Sequence, residues 1–216
     1  MNRPFSGWRE GARFYAPLLA AGAVLTAVFW PAGLQWIGAL VLAAGLAVVL
    51  FFRDFPRTVT AKNDEIVAPA DGVVVAIDEL PESPHYAGPC KRVAIFLSLF
   101  NVHVNRAPYN GVVRETRYTP GKFHLAMKPA AGDANEANAV YLDTPAGPMT
   151  VRQISGAVAR RIVCPVTPGT PLRTGEKFGM IRFGSRTELY LPPETRICVK
   201  LRAEVRAGLT IVARTR

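Results

Sequence analysis

RFGSRTELYLP, residues 182–192, reads as the end of one strand, a Gly-Ser step and the start of another strand. A Gly-Ser step is common turn punctuation, because glycine accepts backbone angles that other residues avoid. The same dipeptide can also be a reactive centre, since a serine hydroxyl becomes a nucleophile once a base stands beside it. The residues around it decide between the two.

Outward from this stretch the pattern stays β-rich. DGVVVAIDEL (71–80), RVAIFLSLFNVHVNR (92–106), GVVRETRY (111–118), AVYLDT (139–144), MTVRQIS (149–155), ARRIVCPV (159–166), KFGMIRFG (177–184), TELYLP (187–192), TRICVKLRAEV (195–205) and LTIVAR (209–214) are strand candidates. In TRICVKLRAEV, Ile197, Val199 and Leu201 alternate with polar residues. Short strands recurring about every ten residues between turn signals indicate a mainly β domain, a compact β-sandwich or hybrid barrel. Asn110-Gly111 reads as a hairpin turn. No glycine-rich phosphate loop precedes a helix, so a nucleotide-binding α/β domain is not expected. The weakly patterned segment 124–139 reads as a short helix or a loop over a site.

The N-terminal quarter differs. Residues 14–30 and 34–52 are two uncharged apolar runs separated by Pro31-Ala32-Gly33. Each is close to the roughly 20 residues that a spanning helix needs. A second apolar run and the lack of a cleavage signal argue against a removable leader. Trp30 and Trp36 flank the turn, as interfacial aromatics do, while Arg3, Arg9 and Arg13 precede the first run and Arg53, Arg57 and Lys62 follow the second. The expected organisation is a membrane hairpin over 1–52, a juxtamembrane linker over 53–66 and a catalytic β domain over 67–216. Both chain ends are then cytoplasmic, which puts the β domain on the cytoplasmic face of the inner membrane. A hairpin that dips into one leaflet without crossing is the alternative.

Twenty-six Lys and Arg against sixteen Asp and Glu give a net charge of +10. That balance suits an anionic membrane surface or a nucleic acid. No run of five basic residues and no aromatic-basic repeat occurs, so nucleic acid is not the expected partner. Cys90, Cys164 and Cys198 are widely spaced and odd in number, which argues against disulfides and structural zinc. Three scattered histidines, His85, His103 and His124, do not make a metal site.

Three islands carry polar residues with chemical potential. VAPADG (67–72) holds Asp71, which alone reads as a turn aspartate. LFNVHVNRAPYNG (99–111) holds His103, Asn105 and Arg106. The Gly184-Ser185 step supplies one of only five serines. Together they offer a carboxylate, an imidazole and a hydroxyl, the residue types of an activated nucleophile. The sequence lacks a G-x-S-x-G elbow between strand and helix, so an ordinary serine hydrolase is disfavoured.

PADG (69–72), FLSLFNVHVNRAPYNG (96–111), GKF (121–123), QISGAVARRIVC (153–164) and GEKFGMIRFGSRTELYLP (175–192) together resemble the phosphatidylserine decarboxylases, in particular their short membrane-associated branch. The resemblance spans roughly residues 53–205, in the family's order. It implies that Ser185 attacks the Gly184 carbonyl and that the chain cuts itself into 1–184 and 185–216. Ser185 then becomes a pyruvoyl group, which binds the substrate amine as a Schiff base; no metal and no pyridoxal phosphate is implied. It further implies His103 as base and proton donor, Asp71 as its orienting carboxylate, and His124, Lys122 and Asn105 as substrate contacts. The implied reaction converts phosphatidylserine in the membrane to phosphatidylethanolamine and CO2 for phospholipid biosynthesis. The implied partnership is a heterodimer of the two fragments, with room for a further homo-oligomer. One departure is Ala137, where the family tends to carry Arg; Lys122 or Lys128 would then supply the cation. The competing readings are a related serine lipid such as archaetidylserine as substrate, and a non-catalytic membrane-tethered β domain. A cell-wall metallopeptidase would need the second histidine that His103-Val104-Asn105 lacks.

Overall fold

The computed structural model describes residues 5–124, 134–156, 161–182 and 185–215. The chain divides into two units, 6–55 and 56–216, the second joined by the first five residues.

The smaller unit is a helical hairpin. Helix α1 spans Gly7–Phe29 and α2 spans Trp36–Phe51. Helix α1 starts well before the apolar run because Trp8, Arg9, Glu10 and Arg13 are tolerated in its first turns, and its N-terminus is anchored. The Asp54 carboxylate accepts the Gly7 amide at 2.9 Å, and the Asp54 carbonyl accepts the Trp8 indole N–H at 3.1 Å. A carboxylate there satisfies an orphan amide and meets the positive end of the helix dipole. Helix α1 is long and apolar enough to cross a membrane. Helix α2, at 16 residues, is shorter than the expected 34–52, because Leu34 and Gln35 belong to the connecting turn. Glycines set the spacing between the helices: a Cβ on Gly38 would stand 2.2 Å from the Thr26 amide nitrogen. Small residues at such crossings let helix backbones approach closely.

The larger unit is mainly β. Its strands are β1 (Glu65–Val67), β2 (Gly72–Leu80), β3 (Cys90–Leu97), β4 (Val104–Arg106), β5 (Gly111–Thr119), β6 (Ala137–Thr144), β7 (Gly147–Ser155), β8 (Arg161–Val163), β9 (Pro171–Leu172), β10 (Lys177–Arg182), β11 (Ser185–Leu191), β12 (Arg196–Ile197), β13 (Glu204–Val205) and β14 (Ile211–Arg214). Eight of them form one curled half-barrel sheet in the order β13-β2-β3-β11-β7-β6-β5-β9. Two three-stranded sheets, β1-β14-β12 and β4-β10-β8, complete the unit. Every named pairing is antiparallel.

The core draws on the large sheet and on β1 and β14. Val93, Ile95, Leu97, Val151, Leu189 and Leu191 pack with Ile66, Phe178 and Val212, all essentially buried. Each fully buried aliphatic side chain contributes about 1.5–3 kcal/mol relative to exposure.

Three expectations change. The linker ends before residue 65, because Glu65–Val67 is a buried strand paired with β14. Asn110-Gly111 is not a hairpin: β4 pairs with β10, while β5 pairs with β6 and β9, and the Asn110 side chain instead accepts the Thr174 amide. TRICVKLRAEV is not one strand. It breaks into β12 and β13 around a turn in which Arg202 takes a left-handed φ of 67°, and Leu201 is exposed. Alternation there is a surface pattern on a looping chain, not a pleated face.

Candidate active site

Strand β10 belongs to one sheet and β11 to another, so the chain changes sheets between Arg182 and Ser185. The two residues between them, Gly184 included, lie outside the described residues, as does Lys128. Ser185 is the first residue of β11 and is wholly buried. Its Cα pairs with Leu97 of β3 on one side and with Ser155 of β7 on the other. Neither hydroxyl, of Ser185 or of Ser155, has a hydrogen-bond partner among the described residues. A buried unpartnered hydroxyl costs about 1–3 kcal/mol. The strand therefore opens on a hydroxyl that no described residue satisfies.

His103 immediately precedes β4 and is also wholly buried. Its carbonyl accepts the Ile181 amide of β10 at 3.2 Å, which fixes it beside the strand leading into the crossing. Its Nδ1 stands 2.9 Å from the Asn101 carbonyl oxygen. A carbonyl can only accept, so this contact selects the tautomer with the proton on Nδ1 and makes Nε2 the basic nitrogen. Asn101 is itself held. Its amide donates to the Ser98 carbonyl at 3.0 Å, and its Oδ1 accepts both the Ser98 amide and the Ser98 hydroxyl at 2.8 Å.

The expected pairing of Asp71 with His103 is replaced by two separate arrangements. The Arg57 guanidinium donates to both oxygens of Asp71, at 2.6 and 2.8 Å, and the Ala207 amide donates to Oδ1 at 2.7 Å. Arg57 also donates to the Ala207 carbonyl at 2.7 Å. The carboxylate is thus occupied by a fork of charge-assisted bonds, the geometry for which arginine is suited. Gly72, next in the chain, has φ +150°, and a Cβ there would meet the Phe96 carbonyl oxygen at 2.0 Å. That close approach explains the Asp-Gly pair: it lets β2 start directly against β3.

Asn105 takes a structural position. It is wholly buried in β4; its amide nitrogen donates to the Pro69 carbonyl at 3.4 Å and the Thr187 hydroxyl at 3.1 Å, and its oxygen accepts from Gln153 at 2.9 Å. Asn138 extends the chain by donating to Gln153 at 3.1 Å. This network ties the Pro69 strap, β4, β7, β6 and β11 together, and the Asn105 amide spends both its nitrogen and its oxygen inside it. Lys122 and His124 are both exposed. Their backbone is pinned by Asn135, whose side chain bonds the His124 amide and carbonyl at 2.8 Å each and the Ser155 carbonyl at 2.7 Å. Ser155 is Ser185's neighbour, so segment 121–124 is held beside the same end of β11. β4, which follows His103 directly, is thus bonded both to Pro69 of the strap and, through Asn105, to Thr187 of β11, two residues after Ser185.

The family model for phosphatidylserine decarboxylase matches residues 45–213. The chain belongs to the phosphatidylserine decarboxylase family. A phosphatidylserine decarboxylase proenzyme from Magnetococcus marinus is 44% identical over 207 residues, covering 95% of this chain and 94% of the relative. One from Carboxydothermus hydrogenoformans is 42% identical over 215 residues, covering 99% of each. One from Nitrosomonas eutropha is 41% identical over 209 residues, covering 96% and 94%.

In this phosphatidylserine decarboxylase relative, the opposite face of β11 is ionic. Glu188 is wholly buried and meets Arg186 at 2.7 Å, Arg152 at 3.4 Å, Arg92 at 3.6 Å and the Tyr190 hydroxyl at 2.7 Å. Burial pushes its carboxyl up, but Arg186, the Tyr190 hydroxyl, Arg92 and Arg152 outweigh that and hold it below the ordinary carboxylate range. Burial also pushes the Cys164 thiol up to about 11, so it stays a thiol. Sequence reading missed Arg57, Asn101, Asn135, Gln153 and Glu188. Of these, only Glu188 carried a signal: a charge inside an apolar strand demands partners.

Proposed function

We propose that this chain is a proenzyme that cuts itself between Gly184 and Ser185 and then decarboxylates phosphatidylserine to phosphatidylethanolamine. The observation that carries the reading is the Ser185 hydroxyl, buried and without a partner among the described residues, just after the chain changes sheets. The proenzyme names of the relatives support the same reading.

In the first step His103 Nε2 takes the Ser185 hydroxyl proton, and the oxygen attacks the Gly184 carbonyl carbon. The amide nitrogen leaves, and an ester joins residue 184 to the Ser185 side chain. Loss of the Ser185 α-proton then breaks the Cβ–O bond, which frees the Gly184 carboxylate and leaves a dehydroalanine at the head of 185–216. Water replaces its nitrogen, releasing ammonia. The resulting pyruvoyl carbonyl would supply an electron sink for loss of CO2. The residues present fit such a group: Ser185 is wholly buried at the head of β11, so its position is dry. His103, with its Nδ1 proton held by Asn101, would return a proton to the substrate carbon. Asp71 would act at a distance, holding the Pro69 strap behind β4 through Arg57 and Ala207. Lys122 and His124, exposed beside Ser155, are the side chains proposed to meet the lipid headgroup.

The two fragments, 1–184 and 185–216, would remain together as a heterodimer. The apolar hairpin and the flanking arginines support attachment to the inner membrane with the β unit on the cytoplasmic face. Intact mass of the purified protein tests the reading. The wild type should give two fragments, the smaller beginning with a pyruvoyl group, and Ser185→Ala one full-length chain. A single uncut wild-type chain in membranes overturns it. His103→Ala should stop cutting as well, and normal processing in that variant removes His103 from the first step.

A further inference from the structure

Ser98–Leu99–Phe100–Asn101 is a tight turn closed by the Asn101 amide on the Ser98 carbonyl and locked by the Asn101 side chain on Ser98. Turn tips favour Gly, Pro, Asn, Asp and Ser. This one carries Leu99 and Phe100 at its two central positions, and they are 49% and 88% exposed. Three hydrogen bonds thus fix a turn whose two central side chains are large, apolar and exposed. The turn begins one residue after Leu97, the strand neighbour of Ser185.

A second exposed aromatic lies on the other side of Ser185. Phe123 is 44% exposed, on the segment that Asn135 ties to Ser155, and Ser155 is the other strand neighbour of Ser185. Basic side chains accompany these tips. Lys122 precedes Phe123 and is exposed, and exposed Arg161 of β8 pairs with Arg182 at the end of β10. Apolar tips with cations behind them match a bilayer boundary, where rings enter the acyl region and cations meet lipid phosphates.

We infer that Leu99, Phe100 and Phe123, with Lys122 and Arg161, form a docking lip that seats on the surface of an anionic bilayer around the mouth of the Ser185 site. The lip belongs to the β unit and would act in addition to attachment through the helical hairpin. Its work is to orient the site so that a lipid passes from the bilayer to Ser185 without crossing water. Because Asn101 both locks the turn and accepts His103 Nδ1, seating the tip also steadies the imidazole. The lip rests on the reading of this site as one that takes a bilayer lipid.

The test uses the full chain reconstituted into vesicles of phosphatidylcholine with and without phosphatidylglycerol. The protein has three tryptophans, Trp8, Trp30 and Trp36, and each is changed to Phe. Phe100→Trp then places one indole at the tip. Its emission should shift to the blue and be quenched by lipids brominated in the acyl chain, more strongly when phosphatidylglycerol is present. Phe100→Ser should lower turnover of long-chain phosphatidylserine in vesicles several-fold, while self-cutting and turnover of dispersed short-chain phosphatidylserine stay near wild type. An indole that is not quenched overturns the lip. So does an equal loss on both substrates, or a Phe100→Ser effect that follows a change of oligomeric state, since a second copy would then be the occupant. Failure of the proposed function reads differently: the wild-type mass stays single, whatever the indole reports.

Discussion

The two faces of strand β11 are built on opposite principles. Ser185, Thr187, Leu189 and Leu191 point one way, and Arg186, Glu188 and Tyr190 point the other, because successive strand residues alternate. On the ionic face every charge has partners: Glu188 alone engages three arginines and a tyrosine hydroxyl, and Arg92 is held again by Asp78 at 2.7 and 2.9 Å. On the other face Thr187 is tied into the Asn105 network, but the Ser185 and Ser155 hydroxyls have no partner among the described residues. One face spends its polar groups on holding the strand in place. The other keeps one in reserve at the strand's first residue. A self-cutting site needs both, since a reactive group is useful only if the backbone around it does not yield.

The largest expected effect comes from breaking the ionic face. Glu188→Gln leaves Arg186, Arg152 and Arg92 around a neutral group, and losing one member of a buried ion cluster costs about 3–5 kcal/mol. Urea unfolding of the full chain should show it, and an unchanged midpoint would mean that the cluster is only decorative. The same carboxylate gives a pH dependence. Its folded pKa lies below its ordinary 4.5, so its contribution is complete above that value and fades as pH falls from 4.5 through the depressed folded value. Wild type should lose stability over that range more steeply than Glu188→Gln.

A sharper comparison concerns Asp71. If it acts through the strap, Arg57→Ala and Asp71→Ala should slow self-cutting to a similar degree, because each removes the same ion fork. If it serves His103 directly, only Asp71→Ala slows it. Time-resolved intact mass distinguishes the two. The smallest effect is expected at Ser155→Ala, which removes a buried hydroxyl with no partner among the described residues. Unfolding should be unchanged or stabilised by up to about 1 kcal/mol. A clear loss would mean that the hydroxyl has a partner on the unpaired face.

The sequence showed most strands because their apolar runs are long and bounded by Gly and Pro, as in GVVVAIDEL and MTVRQIS. Through resemblance to a family it also led to the expectation that Ser185, His103 and the PADG strap share one site. What it could not show was contact at a distance. Arg57 lies fourteen residues before Asp71, in a stretch that reads as a linker, and nothing in its spacing predicts the ion fork. Asn101 acts through its backbone carbonyl, which any residue could present. Three-residue strands such as Glu65–Val67 fall below the length at which alternation is visible. TRICVKLRAEV erred in the other direction: good alternation without a partner strand along its middle does not make a strand.

β11 occupies the middle of the large sheet, with β3 hydrogen-bonded on one side and β7 on the other. A break just before Ser185 would therefore put a new chain end inside the sheet rather than at its rim. Residues 185–216 would also keep β13 on β2 and β14 on β1. To leave, the fragment would have to unzip both sides of the central strand at once, and to return it would have to find a slot that exists only while it is filled. The order of events would then be irreversible. The molecule would fold once, as a single chain, and a two-chain form would persist on the strength of its unfolding barrier, with no route back from its separated parts.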